Sequence, residues 1–127
     1  MNEQDKKDKI KQIDIENVIW LIYLGIIFLS WYSNYYEKKY YLTNDLESKK
    51  IYKDILTFVF FVLLIVYVYF TESSYKDFKK LKPTDTKEKQ KFTTLSFIAS
   101  SLVLISGIIF LYISIEDKNL DVELAFN

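Results

Sequence analysis

ILTFVFFVLLIVYVYFT, residues 55–71, contains no charged residue, in a chain where Asp, Glu, Lys and Arg fill 27% of positions. Whether it is a strand or a helix decides the fold. Its β-branched and aromatic residues at 58–62 and 66–70 favour a strand by propensity alone. Length opposes this, because strands run about 5–6 residues. Two further stretches, residues 17–36 and 92–115, are equally free of charge, so all 17 lysines and 17 acidic residues fall outside the three. A bilayer core about 30 Å thick needs roughly 20 apolar residues in a helix, with about 17–25 acceptable, and each stretch falls in that window. An open sheet in lipid would leave its backbone groups unpaired, whereas a helix pairs them internally. The stretch is therefore read as a helix, and its 13 Leu, Ile, Val and Phe residues favour insertion by several kcal/mol.

The expected fold is all-α. It is an integral membrane bundle of three transmembrane helices that extend beyond the bilayer, forming one domain over residues 1–127. The spans lie at approximately 17–36, 55–71 and 92–115, with a cytoplasmic connection at 72–91 and an outer tail at 116–127. A soluble three-helix core would have to hide three helices that are apolar all round, and a chain of 127 residues leaves too much surface for that. The first span reads as retained rather than as a cleaved leader, since Trp31, Tyr32 and Ser33 are followed by Asn34, Tyr35 and Tyr36, with no small-x-small site. No lipidation motif is present, with Asn2 at position 2 and no cysteine.

Lysine placement sets the expected orientation, because cytoplasmic flanks carry the excess of basic residues. The second connection holds seven lysines, from Lys76 to Lys91, against only Lys118 beyond the third span. This places the N-terminus inside, with Lys6, Lys7, Lys9 and Lys11, and the C-terminus outside. Trp31, Tyr32, Tyr35 and Tyr36 then form an outer aromatic belt, and Tyr67, Tyr69 and Phe70 mark the inner end of the second span, with Trp20 and Tyr23 near the inner end of the first. Heavy use of Lys, Ile, Asn and Tyr with no Arg fits a bacterial gene of low GC content, so the expected location is a bacterial plasma membrane.

Local signals place the helix ends in water. Asn44 with Glu47 forms a capping-box pattern, so the second helix is expected to begin near Asp45 and run to about Leu81, before Pro83. Thr84 or Asp85, followed by Glu88, offers the next N-cap, with the third helix running from near Thr86 to Glu116. The first helix is expected to begin within the first ten residues, where Ile10 and Ile13 extend an apolar stripe.

Three groups of residues are candidates for contact. Ser96, Ala99, Ser100, Val103, Ser106 and Gly107 recur near three- and four-residue spacing and form the expected helix-packing seam, because small residues let backbones approach closely in lipid. Ser114 continues the series. Lys76, Lys79, Lys80 and Lys82 lie among apolar residues close to the membrane, where they either contact anionic lipid or simply enforce topology. Leu120, Val122, Leu124 and Phe126 alternate with polar or small residues, the period of a strand that docks on a partner's sheet edge or lies over the headgroups.

The composition excludes much chemistry. Without His or Cys the chain lacks the commonest general base, thiol nucleophiles and the usual zinc ligands, and without Arg it lacks a bidentate phosphate clamp. Gly25 and Gly107 are its two glycines, both in apolar runs, so no phosphate-cradling loop can be built. The carboxylates Glu116, Asp117, Asp121 and Glu123 lack EF-hand spacing. No enzyme, cofactor, metal, nucleic acid or small-molecule substrate is expected. None of the spans carries an ionisable residue of the kind that marks ion pathways. The expected partners are the lipid bilayer and either a membrane protein or further copies of the chain. The leading functional expectation is an accessory or interaction subunit acting through a partner. The alternatives are a homo-oligomeric, holin-like pore lined by the serines of the third span, and an immunity-type membrane protein.

Overall fold

The computed structural model describes residues 2–118. Among them the chain forms three α-helices, α1 (Glu3–Thr43), α2 (Leu46–Lys79) and α3 (Lys87–Glu116). Each is long and apolar enough to cross a membrane. The strand-favouring run 55–71 lies wholly inside α2; a helix meets every backbone hydrogen-bonding demand within itself, and that requirement overrides β propensity.

The helix ends are built by short polar side chains. Asn2 caps α1 by accepting from the Asp5 amide at 2.7 Å, and Glu3 and Asp5 complement the positive end of the helix dipole. At the other end Asn44 adopts the left-handed conformation, φ 54°, and its N–H donates to the Tyr40 carbonyl at 2.7 Å. This is a C-cap that asparagine tolerates better than most residues. The expected pairing of Asn44 with Glu47 therefore does not form. Asp45 takes the capping role instead, accepting from the Glu47 amide at 3.2 Å and the Ser48 hydroxyl at 2.7 Å.

α2 stops at Lys79, two residues before the expected Leu81. Pro83 explains this, since its ring would clash with the carbonyl four residues earlier in a continuing helix and it disfavours helical geometry at Lys82. The last turn tightens as the Leu81 amide donates to the Phe78 carbonyl at 3.2 Å. Thr86, rather than Thr84 or Asp85, caps α3 by accepting from the Lys89 amide at 3.1 Å.

By its contacts the chain falls into two compact units, one up to Tyr52 and one from Lys53 onward. In the first unit, Ile19, Ile26 and Ser33 are the buried residues of α1, spaced by seven. Ser33 donates to the Ser30 carbonyl at 2.7 Å. Around the turn, the Lys39 ammonium lies 3.8 Å from Asp45 and that of Lys49 lies 5.2 Å from the Tyr40 ring centre. The second unit is a hairpin of α2 and α3. On α2, Leu56, Val59, Leu63 and Val66 are buried at alternating three- and four-residue steps. On α3, Gly107 and Ser114 are buried seven apart. A repeat averaging 3.5 residues keeps one seam facing a neighbour along the length of a helix.

Candidate functional site

The α2–α3 contact has two parts, each set by a small residue of α3. At Gly107 the helices meet closely, because a Cβ built there would lie 2.8 Å from Cδ2 of Tyr67 and 3.6 Å from Cδ1 of Leu64. Only a residue without a side chain leaves room for the Tyr67 ring as it stands. One heptad earlier, Ser100 joins the helices by hydrogen bonds: Thr71 Oγ1 donates to the Ser100 carbonyl at 3.1 Å, and the Ser74 and Ser100 hydroxyls pair at 3.0 Å. Aromatic rings fill the contact on either side. Phe60 and Phe110 lie 5.8 Å apart, and Phe97 meets both Tyr75 and Phe78 at 5.4 Å.

Of the six seam residues expected from sequence, the structure brings Ser100 and Gly107 into this contact. Ala99, Val103 and Ser106 are exposed outside this contact, and Ser96, also exposed, lies at its edge with Ser74 and Asp77 of α2. Ser114 is buried, donating to the Leu111 carbonyl at 2.8 Å. The partners of Ser100 and Gly107 on α2 are Leu64, Tyr67, Thr71 and Ser74, of which the sequence points to Tyr67 alone, and to it as an interfacial ring. The signal that finds the α3 side of the contact is the seven-residue step Ser100, Gly107, Ser114, which selects one face where a general count of small residues selects two.

The lysines behind Pro83 are dispersed. Lys76 pairs with Glu72 at 3.2 Å, and the Lys79 ammonium sits 5.3 Å from the Tyr75 ring centre. Lys80 and Lys82 are exposed. Asp85 organises the connection between α2 and α3. It accepts from the Lys82 amide at 2.8 Å and lies 3.4 Å from the Lys89 ammonium, while Gln90 donates to the Asp85 carbonyl at 3.0 Å. The Lys82 amide, with help from Lys89, holds the Asp85 carboxyl below its ordinary range. Asp45 is likewise lowered, first by the Ser48 hydroxyl and then by the Glu47 amide and Lys39.

On α1, Phe28, Trp31, Tyr32 and Tyr35 line an apolar surface hollow, and Tyr32 and Tyr36 share a hydroxyl hydrogen bond of 2.8 Å. Trp20 and Tyr23 meet edge to face at 5.6 Å. The alternating segment Leu120, Val122, Leu124 and Phe126 lies outside the described residues, as do Asp121 and Glu123. Among the described residues, no cluster of His, Cys, Asp or Glu has the arrangement of a metal site. Comparison with protein-family models, curated proteins and solved structures finds no match.

Proposed function

We propose that this chain is a multi-pass plasma-membrane protein of bacterial type, with its N-terminus in the cytoplasm, that acts as an accessory subunit by packing against a membrane partner. One observation carries the reading. Almost all of the described chain is spent on three apolar helices joined by connections of two and seven residues, so its accessible chemistry is the helix faces and their ends. The exposed stripe Ala99, Val103 and Ser106 supplies such a face, since small residues at three- and four-residue spacing let a further helix approach closely. The reading includes no catalytic step.

The same stripe favours a second reading, in which copies of the chain associate through α3 and the serines line a pore. The mass of the tagged protein in mild detergent, with bound proteins identified, separates the two. A stoichiometric foreign subunit supports the accessory role, whereas a homo-oligomer without companions supports the pore. Ser106→Leu is expected to dissociate the assembly in either case while leaving helix content unchanged, because Ser106 spends its own hydroxyl on the Leu102 carbonyl at 3.0 Å and lies outside the hairpin contact. A strict monomer that binds nothing would reject both.

A further inference from the structure

Beside the polar end of the hairpin contact lies a notch of about 250 Å³ lined by Ser74, Asp77, Phe92, Thr93 and Ser96. That volume holds a small polar group rather than a drug-sized ligand, since roughly 300–1,000 Å³ is usual for the latter. Four of its five lining side chains are polar, and their bonding is unusual for this hairpin. Elsewhere on α3 the hydroxyls are spent: Thr94, Ser101, Ser106 and Ser114 donate to carbonyls of their own helix, and Ser100 pairs with Ser74. Thr93 and Ser96 make no side-chain hydrogen bond among the described residues, and both open into the notch.

Asp77 is equally unspent. The nearby lysines are engaged elsewhere, Lys76 with Glu72, Lys79 over Tyr75, Lys89 with Asp85 and Lys91 over Phe92 at 5.7 Å. Lys80 follows Asp77 by one turn, exposed, yet no ion pair joins the two. A carboxylate is an acceptor only, and hydroxyl oxygens can accept as well. An anion would meet the Asp77 charge and be repelled. A primary ammonium brings three N–H donors and a positive charge, which one carboxylate and two or three hydroxyl oxygens can satisfy together.

We propose that the notch binds a primary ammonium group, either the headgroup of an ethanolamine phospholipid or a free soluble amine. The lipid source rests on the membrane placement proposed above, which sets Ser74 and Asp77 just beyond the second span and Phe92, Thr93 and Ser96 at the start of the third. The ammonium chemistry rests on the notch alone. A choline headgroup has the charge but no N–H, so it makes no hydrogen bond to Asp77, half-buried Thr93 or exposed Ser96, which keep their water instead, and it binds less well.

The test is native mass spectrometry of the full chain in detergent with equal amounts of ethanolamine and choline phospholipid. The wild type is expected to retain the ethanolamine lipid about tenfold over the choline lipid, the factor for losing charge-assisted hydrogen bonds worth one decade in affinity. Asp77→Asn and the pair Thr93→Val, Ser96→Ala should each bring the ratio toward one, with unchanged helix content by circular dichroism. A wild-type ratio near one, or a preference that survives both variants, overturns the proposal. Added ethylammonium distinguishes the sources. Displacement of the lipid shows that any primary amine enters, and retention of the lipid shows that the headgroup's tether is needed. Failure of the membrane placement would instead leave ethylammonium binding to the wild type and lost in Asp77→Asn, with no lipid retained.

Discussion

The α2–α3 contact near Gly107 and the contact near Ser100 stand one heptad apart on the same helix, yet they hold the hairpin by opposite means. At Gly107 nothing is offered but space, and the Tyr67 ring occupies it. At Ser100 the backbone carbonyl and the hydroxyl each bond across to α2, one to Thr71 and one to Ser74. A small side chain can thus serve a helix pair either by its absence or by its oxygen. The two uses should fail differently.

The largest effect is expected at the steric end. Gly107→Leu places a branched side chain where even a Cβ would lie 2.8 Å from the Tyr67 ring, and overpacking of this kind costs about 1–3 kcal/mol. A thermal or denaturant melt in detergent should show that loss, and Tyr67→Ala in the same chain should recover part of it. Full stability in Gly107→Leu would mean that the close approach is not needed.

The polar end should give less. Ser100→Ala removes the bond to Ser74 but keeps the carbonyl that receives Thr71, and interhelical hydrogen bonds in membrane proteins average about 0.6 kcal/mol. Thr71→Val removes the other bond at a similar cost. The double variant should therefore lose roughly twice as much, by the same melt, and a loss matching Gly107→Leu would erase the contrast between the two ends.

The smallest effect lies outside the contact, at the two connections. Asp45 and Asp85 are each held below the ordinary carboxyl range by hydrogen bonds and lysines. A depressed folded-state value contributes stability that is present above the unfolded value, about 3.9, and is lost as pH falls through the folded value. Hydrogen exchange should therefore quicken around residues 82–90 only below about pH 4. Asp85→Asn should remove that pH dependence from the second connection and leave it at the first.

The sequence carries the helices because charge is excluded from three long stretches, a pattern that depends on order along the chain and not on neighbours in space. It carries their approximate ends because Asn2, Asp45 and Thr86 act on amides two or three residues away. Asn44 is ambiguous in sequence because a C-cap and an N-cap draw on the same residue type, and only the backbone angle, φ 54°, tells them apart. The contact was half legible. Ser100 and Gly107 stand among other small residues, and only the seven-residue step that joins them to Ser114 separates them from Ala99, Val103 and Ser106. The notch was not legible at all, because Asp77 and Thr93 come together through the seven-residue turn between α2 and α3.

That turn bears on the order in which the protein is made. The residues that bond across the hairpin are 26 and 29 positions apart, all within two consecutive helices and the turn that joins them. Synthesis delivers the N-terminal partner first. Thr71 and Ser74 therefore leave the ribosome ahead of Ser100, and α3 emerges with its docking strip on α2 already made, so the hairpin can close as soon as its second arm is complete.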